Sequence, residues 1–258
     1  MLRLSQGHLN LLEICPPKFK QSYLDRVSSL PNPETEEKQA WGQRFHLLMQ
    51  QRELGLPINL LLQKNTELDR SLKALIEVAP ELIVIDTKQK REAEHALTLN
   101  FNNYLLTVIY DLLIAEPDRA RIIDWKTYLQ PPNKGKLARN WQTRLYLYVL
   151  VATSDYVPEQ VSMTYWFVKL PNKPKSETFF YNSQLHQQTH EDLTELLTNF
   201  DSWLNSDRDN SFPHHSNCES CCPYYQELQG QNTRHNSHNA SQQEQLRQQI
   251  DNISEVPL

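Results

Sequence analysis

The chain has 258 residues, of which 39% are hydrophobic and 22% are charged, and its formal net charge is −5 at pH 7. This composition supports a buried core, but no run of about 18 apolar residues is present that could cross a membrane. The five glycines lack the spacing of a Walker loop or a dinucleotide-binding fingerprint, which argues against an NTPase or a Rossmann enzyme and against a nucleotide cofactor.

The N-terminal third of the sequence predicts helices. The opening MLRLSQGHLN lacks the pattern of a signal peptide, so a cytoplasmic protein with no membrane partner is expected. Residues 4–30 read as mostly helical, with Ser5 as the N-cap and an interruption at Pro16 and Pro17. The acidic stretch PNPETEEK leads into a helix that carries His46 among apolar neighbours, and a further helix is predicted over residues 67–78.

After Pro80 the pattern changes to strands, in the segments ELIVIDTKQ, EHALTLNF, YLLTVIYDLLIA and RARIIDWKT. A helix is predicted over ARNWQTRLYLYVLVAT, a hairpin over QVSMTYWFVKL and ETFFYN, and a last amphipathic helix over HEDLTELLTNFDSWLNS. The sequence therefore predicts a mixed α/β fold in which helices flank a small central mixed sheet. We expect one domain over residues 1–228 and, over residues 229–258, a polar tail rich in Gln, Asn and His that is disordered.

Two of the predicted strands bring charged residues together. The turn Glu116-Pro117-Asp118-Arg119 joins them, and a tight hairpin centred there places Asp111 opposite Asp124. Lys126 projects on the same side as Asp124, because side chains alternate along a strand. Like charges in opposite positions are unfavourable, so the pattern predicts a divalent cation between the carboxylates, and oxygen ligands suit Mg²⁺ or Mn²⁺.

The Asp-x-Lys pattern is weak by itself, since it also occurs on solvated surface hairpins. The segment IVIDTKQ contains a second copy, Asp86-x-Lys88, but no carboxylate lies at hairpin register with it, so we interpret it as a strand end. His46 on an apolar helix face and Tyr146 in an apolar helix could equally be ordinary core residues. The order of several motifs along the chain decides between these interpretations.

Three motifs resemble those of the PD-(D/E)XK nuclease superfamily, in its RecB-like, CRISPR-adaptation-type exonuclease branch. Asp111 matches the aspartate of G-x-x-D, Asp124 and Lys126 match D-x-K, and Gln142 and Tyr146 match Q-x-x-x-Y. Upstream, LNLLEICPPKF and GQRFH resemble that family's CP-x-x-F and G-x-x-x-H segments, and downstream FPHHSNCESCCPY resembles its cysteine segment. Several motifs in the right order make chance agreement improbable.

The resemblance implies a restriction-endonuclease-like core and assigns roles by position. Asp111 and Asp124 would be metal ligands together with His46, and Lys126 would activate the attacking water or stabilise charge on the phosphate. Gln142 and Tyr146 lie four residues apart on one helix face and would position a DNA strand or a water. One departure from the family pattern is that Val108 replaces the glycine three residues before the first aspartate.

Two further groups of residues carry expectations. In family members with a [4Fe–4S] cluster, one cysteine lies near the N-terminus and three follow the nuclease core; Cys15, Cys218 and Cys221 match, Cys222 is additional, and the last family cysteine is missing. The four thiolates could hold a [4Fe–4S] cluster or Zn²⁺, or could simply be reduced cysteines. The basic residues that could contact backbone phosphates are Lys134, Lys136, Arg139 and Arg144.

The predicted function is hydrolysis of DNA phosphodiester bonds with Mg²⁺ or Mn²⁺, with exonuclease action at DNA ends favoured by the resemblance. The low positive charge suits a protein that relies on a partner, such as a helicase or another repair or CRISPR protein, to capture DNA. Two alternatives stay open: a catalytically silent DNA-binding or scaffold module of such a complex, and a hydrolase of RNA or another phosphodiester. The intact Asp, Asp and Lys set argues against the scaffold, which has no use for a carboxylate cluster.

Overall fold

The computed structural model describes residues 1–26, 33–63, 65–82, 89–129, 131–170, 173–206, 212–216, 218–222 and 224–225, with the side chains of residues 33–38, 81, 220 and 221 outside that description. The chain forms two compact units, one of residues 31–189 and the other of residues 1–30 with 190–258. No described helix combines the length and the apolar character needed to span a membrane.

The helices and strands follow one another in a mixed order. They are β1 (Leu2–Leu4), α1 (Gln6–Ile14), α2 (Pro16–Phe19), α3 (Pro33–Glu53), α4 (Asn59–Gln63), α5 (Thr66–Val78), β2 (Lys90–Phe101), β3 (Tyr104–Glu116), β4 (Arg119–Lys126), α6 (Lys134–Arg139), α7 (Trp141–Ala152), β5 (Val161–Phe167), β6 (Lys175–Phe180), α8 (Ser183–Leu204) and α9 (Cys218–Cys221). A π-helical turn over Lys20–Leu24 follows α2, and short 3₁₀ turns cover Pro80–Leu82 and Pro158–Gln160.

In the unit that contains both ends of the described chain, the predicted helix start is confirmed. Ser5 precedes α1, and its backbone N–H donates to His8 Nδ1 at 3.0 Å. Pro16 does not end helical structure altogether but occupies the first position of α2, where its missing N–H costs nothing. The ring of Phe19 packs edge-on against that of Phe200 at 5.2 Å, so α2 and α8 share a core in this unit.

The unit of residues 31–189 is built around a mixed sheet. Its strands are ordered β2-β3-β4-β5-β6, in which β4 and β5 are parallel and the other neighbouring pairs are antiparallel. Helices α6 and α7 form the crossover from β4 to β5, as a parallel connection requires. The predicted mixed sheet flanked by helices is therefore confirmed, and it has the restriction-endonuclease-like arrangement.

The predicted hairpin register is also confirmed. Leu112 pairs with Ile123 and Glu116 pairs with Arg119 across the turn between β3 and β4. One further step in the same register sets Asp111 opposite Asp124. The parallel neighbour β5 then supports β4 along its whole length, from Ala120 to Lys126.

A single apolar cluster holds α3 and α5 against the sheet. It consists of Trp41, Phe45, Leu48, Met49, Leu68, Leu72, Leu75, Ala79, Leu82, Leu112, Ile114, Ile123, Trp125, Trp166 and Val168. Phe45 is fully buried, stacks on Trp41 at 5.6 Å and packs edge-on against Trp125 at 6.3 Å. A Cβ atom on Gly42 would meet Thr127 Oγ1 at 3.1 Å, so this glycine allows α3 to approach the end of β4 closely.

Some element boundaries differ from the prediction. The helix predicted over ARNWQTRLYLYVLVAT is divided at Asn140, whose side chain accepts a hydrogen bond from the backbone of Gln142 and begins α7 anew. Helix α8 begins at Ser183, earlier than predicted, and α4 was not predicted at all. The second Asp-x-Lys copy, Asp86 and Lys88, and the predicted tail lie outside the described residues.

The end of α3 is tied to β2 by a buried ion pair. Arg91 Nε and Nη2 donate to the two Glu53 carboxylate oxygens at 2.8 and 2.9 Å, and both side chains are 5% exposed. Arg91 Nη2 also donates to the backbone oxygen of Leu82 at 2.7 Å. This two-pronged contact fixes the end of α3, which is the helix that carries His46.

We expect Glu53→Met to reduce the free energy of unfolding by about 3–5 kcal/mol, because it leaves the buried Arg91 guanidinium without its carboxylate. The matched control is Lys73→Met, which breaks an exposed ion pair of 2.7 Å with Asp69 and should cost less than about 1 kcal/mol. Urea unfolding measured on both variants tests this. Equal losses in the two variants would contradict the prediction.

Candidate active site

The residues singled out in the sequence come together at one place in the unit of residues 31–189. Helix α3 supplies His46, β3 supplies Asp111, β4 supplies Asp124 and Lys126, and α7 supplies Gln142 in its first turn. The apolar cluster under α3 and the side-chain cap of α7 fix the positions of the two helices. Strand pairing fixes the positions of the two aspartates. Sequence-distant side chains thus meet because four separate elements are each fixed locally.

One half of the site is formed by His46 and Asp111. His46 Nδ1 lies 3.2 Å from Asp111 Oδ1, and His46 Nε2 lies 3.1 Å from the backbone oxygen of Trp125. The other carboxylate oxygen, Asp111 Oδ2, accepts a hydrogen bond from the backbone N–H of Trp125 at 2.6 Å. Both side chains are therefore oriented by the backbone of β4.

The charge on this half follows from its surroundings. Burial favours the neutral imidazole, but the charge and the hydrogen bond of Asp111 outweigh it and raise the pKa of His46 to about 9. At neutral pH the metal-free site therefore contains an imidazolium beside a carboxylate.

The other half is a buried network of Asp124, Lys126 and Gln142. Lys126 Nζ lies 2.9 Å from Asp124 Oδ2 and donates to Gln142 Oε1 at 2.8 Å, while Gln142 Nε2 donates to Asp124 Oδ1 at 2.6 Å. The three residues are 3%, 7% and 7% exposed, respectively. Gln142 thus bridges the acid and the base of the D-x-K motif and fixes both side chains.

The protonation of this network is set by burial and by the pairing. Burial raises the pKa of Asp124 to about 6, although the charge of Lys126 acts against the shift. For Lys126, burial favours the neutral amine, but Asp124 overcomes it and raises the pKa of the ammonium above its ordinary value. The ammonium also lies 5.2 Å from the ring centroid of Tyr165 and 5.8 Å from that of Tyr128. Lys126 is therefore a cation, and not a base, at neutral pH.

Tyr146 is buried next to the network. It is 3% exposed, its backbone oxygen accepts a hydrogen bond from Tyr110 at 2.9 Å, and the two rings pack edge-on at 5.2 Å. Burial holds the pKa of the Tyr146 phenol well above its usual range, while a hydrogen bond with Gln142 opposes that rise. Tyr146 thus reaches the site through Gln142, and its direct contact with a substrate strand stays a prediction.

Glu94 on β2 was not predicted as a site residue. One carboxylate oxygen of Glu94, one of Asp111 and one nitrogen of His46 lie within 4.8 Å of one another. The sequence contains the information that would have identified Glu94. The Asn-Asn pair of FNNY joins β2 to β3 by a tight turn, and counting residues back from that turn along both strands sets Glu94 opposite Asp111.

These three residues fit a divalent metal ion. Ligand atoms at about 2.1 Å from an octahedral ion are roughly 3.0–4.2 Å apart, which the 4.8 Å cluster can satisfy with small shifts. The imidazole contact also fits, because a metal-bound histidine commonly donates its other N–H to a backbone carbonyl, as Nε2 can to Trp125. In the described part of the chain Asp124 is held by Lys126 and Gln142, and its predicted role as a ligand stays a prediction.

The cysteines gather in the other unit. Cys222 Sγ donates to Cys15 Sγ at 3.2 Å, and His214 Nδ1 lies 3.3 Å from Cys218 Sγ, with all three described thiols buried and free of disulfides. The hydrogen bond from Cys222 lowers the pKa of Cys15 and raises that of Cys222. The side chain of Cys221 lies outside the description. Cys222, the additional cysteine, is the thiol that donates to Cys15.

Two of the four basic residues that could contact phosphates are engaged with other protein groups. Lys134 Nζ forms an exposed ion pair with Glu177 at 3.1 Å, and the Arg144 guanidinium lies 4.3 Å from the ring centroid of Trp141. Lys136 and Arg139 lie in and at the end of α6. Their predicted contacts with phosphates stay predictions.

An acidic cluster beside a buried Asp–Lys–Gln network, carried on a small mixed sheet, defines a candidate phosphodiester hydrolase. A family model of the PD-(D/E)XK nuclease superfamily matches residues 3–226. The chain belongs to the PD-(D/E)XK nuclease superfamily.

Comparison with other proteins adds little beyond the family. Solved structures that resemble the chain include a candidate exonuclease from Eubacterium rectale, at 9% identity and a TM-score of 0.45 over 76% of this chain and 80% of that one. They also include the protein designated SSO0001, at 10% identity and a TM-score of 0.39 over 86% and 83% of the two chains. No curated protein matches the sequence significantly. The assignment to the RecB-like branch stays a prediction.

We expect an NMR titration of the metal-free protein to give His46 a pKa of about 9. Asp111→Asn should lower that pKa, because it removes the negative charge that stabilises the imidazolium, while burial still favours the neutral ring. Since the folded-state pKa exceeds the ordinary value of 6.5, this pair stabilises the fold fully below about pH 6.5, and the contribution is lost as the pH rises through about 9. The control is Asp118→Asn in the exposed turn. An unchanged pKa in Asp111→Asn would contradict the assignment.

Proposed function

We propose that this protein is a Mg²⁺- or Mn²⁺-dependent nuclease that hydrolyses phosphodiester bonds in DNA. The observation that carries the proposal is the buried contact of Asp124, Lys126 and Gln142 beside the cluster of His46 and Asp111. Burying a charged network costs free energy that an apolar core would not, so its retention next to an acidic cluster favours a chemical role.

His46 and Asp111 would hold the metal ion, with Asp124 as the further ligand that the family motif implies. When bound, such an ion supplies Lewis-acid polarisation of a phosphoryl oxygen and lowers the pKa of a water molecule. The imidazole can serve only after losing the proton at Nδ1, so metal and proton compete for His46. Trp125, through its backbone oxygen, keeps the Nε2 proton in place and orients the ring.

Lys126 stabilises negative charge that develops on the phosphoryl oxygens. Its ammonium keeps its proton because Asp124 lies 2.9 Å away, and it is held in one direction by Gln142. A fixed cation in a buried site stabilises such charge more strongly than a mobile surface lysine, since it needs no reorganisation during the reaction. Gln142 is therefore a positioning residue for both members of the D-x-K motif.

The preference for DNA and for action at ends rests on the resemblance to RecB-like exonucleases. The net charge of −5 favours a protein that does not capture long DNA by itself. We propose that a partner, such as a helicase or another repair or CRISPR protein, presents the substrate. Hydrolysis of RNA, or a silent scaffold role, is an outcome of the experiment below.

We expect metal-dependent degradation of end-labelled linear DNA, and a loss of at least about 100-fold in rate for Asp111→Asn, Asp124→Asn and Lys126→Met. The first two changes each remove a charged ligand of the metal ion, and the third removes the cation that stabilises the reacting phosphate. The assay compares linear and circular DNA, single and double strands, and matched RNA, with Mg²⁺, Mn²⁺ or chelator. Lys73→Met, exposed on α5, is the charge-matched control and should keep wild-type activity.

The substrate pattern separates the alternatives. Cleavage of linear but not circular DNA supports exonuclease action, and cleavage of RNA alone replaces the DNA assignment with the alternative hydrolase. A folded wild-type protein that is as inert as Lys126→Met on every substrate, while still binding DNA, would contradict the nuclease and favour the scaffold.

We also propose that the thiols hold a soft metal, as a [4Fe–4S] cluster or Zn²⁺. Three buried thiols and the His214 imidazole provide four donors of the type that suits either, and thiolate ligands favour these metals over Mg²⁺. The metal would link the N-terminal helix pair to α9 within one unit. A metal held there would be structural, since none of its donors belongs to the residues of the acidic cluster.

Anaerobically purified protein is expected to contain iron with acid-labile sulfide, or zinc, at one site per chain, and Cys15→Ser is expected to lose it. Elemental analysis with visible absorbance distinguishes the cluster from zinc. Cys15→Ser should unfold at a lower temperature than the wild type, because metal binding adds to folding stability. Metal-free wild-type protein that gains no stability on reconstitution with either would rule out this cofactor.

A further inference from the structure

Glu94 has an unusual backbone conformation for its position. Its φ angle is 50°, in the left-handed region, although it lies in the middle of β2. Strand pairing continues in one register on both sides, with Ala93 opposite Leu112 and His95 opposite Tyr110. The strand is therefore distorted at one residue, and this residue faces Asp111.

Two energetic costs fall on this single cross-strand position. A left-handed conformation is sterically unfavourable for a residue with a side chain. Two carboxylates in opposite positions repel each other as well. Asparagine or glycine at position 94 would reduce both costs, so the packing of the strand does not account for a glutamate here.

Among the described residues, the Glu94 carboxylate has no basic side chain paired with it alone. In the described part of the chain, no lysine or arginine lies within ion-pair distance of it. The two cations of the site are engaged with other groups, since Lys126 contacts Asp124 and Gln142, and His46 contacts Asp111. A cation from solution is the remaining source of compensation.

The geometry points to Glu94 as a direct ligand of the divalent ion, in addition to His46 and Asp111. The inference rests on the proposed metal-dependent function and extends it to a residue that the sequence motifs did not include. The three ligand atoms lie within 4.8 Å of one another, close enough to share one ion. Glu94, the left-handed residue, lies at the position of β2 that the flanking register sets opposite Asp111.

The test is calorimetric titration of Mn²⁺ into the metal-free full-length protein. We expect the Kd for Mn²⁺ to rise at least about tenfold in Glu94→Gln, because an amide is a weaker and uncharged ligand. Asp111→Asn should weaken binding similarly. The matched control is Glu92→Gln on the same strand, whose carboxylate is paired with Lys90 at 3.0 Å and which should bind Mn²⁺ as the wild type does.

A second readout separates ligation from a structural role. Without metal, Glu94→Gln should unfold at the wild-type temperature or above it, because a repulsion is removed, and added Mn²⁺ should raise that temperature less than in the wild type. A metal-free protein destabilised by the change, with unaltered Mn²⁺ affinity, would overturn the inference. If Glu94→Gln does not fold, Glu94→Asp keeps the charge but shortens the reach, and it too should bind Mn²⁺ more weakly.

The outcomes for this inference and for the proposed function can be told apart. Wild-type Mn²⁺ affinity in Glu94→Gln, with binding lost in Asp111→Asn, removes Glu94 from the site and leaves the metal-dependent nuclease in place. Wild-type affinity in Asp111→Asn, or no Mn²⁺ binding by the wild type, removes the metal site itself and with it the role of Glu94.

Discussion

Repulsion among carboxylates is the constraint on which the site in this structure depends. Glu94, Asp111 and Asp124 belong to three neighbouring strands, and extending the observed pairing by one residue sets each opposite the next. An uncompensated row of this kind would destabilise the sheet. Two cations reduce this repulsion, because Lys126 lies beside Asp124 and the His46 imidazolium lies beside Asp111. The parts of the fold that place these cations are therefore as necessary to the site as the acids are.

That placement comes from packing far from the chemistry. Phe45 and its aromatic neighbours hold α3 on the sheet, and the Glu53–Arg91 ion pair fixes the end of the same helix. Gly42 has no side chain, and this allows α3 to approach the end of β4. Because His46 lies between these contacts, its distance to Asp111 is determined by the core and not by a local motif. The same reasoning applies to Gln142, which the cap at Asn140 puts in the first turn of α7.

The two halves of the site respond differently to their burial. The imidazole of His46 can exchange its proton for a metal ion, whereas the Lys126 ammonium is held in the charged state by Asp124. One half is thus suited to binding an ion, and the other is suited to presenting a fixed positive charge. The side chain of Gln142 contacts Asp124 and Lys126 in the second half, and it therefore holds the fixed positive charge in place.

The sequence by itself determined the mixed α/β class and the hairpin register of β3 and β4, and it singled out most of the residues that the fold brings together at the candidate site. These features are local: a proline turn fixes a register, period-two alternation fixes the strands, and motif order fixes the family. Tertiary structure decided the rest. That Cys222 reaches Cys15 depends on a contact between residues 207 positions apart, and that His46 meets Asp111 depends on the packing of α3 on the sheet. Such contacts are set by long-range packing, which leaves no periodic trace in the sequence.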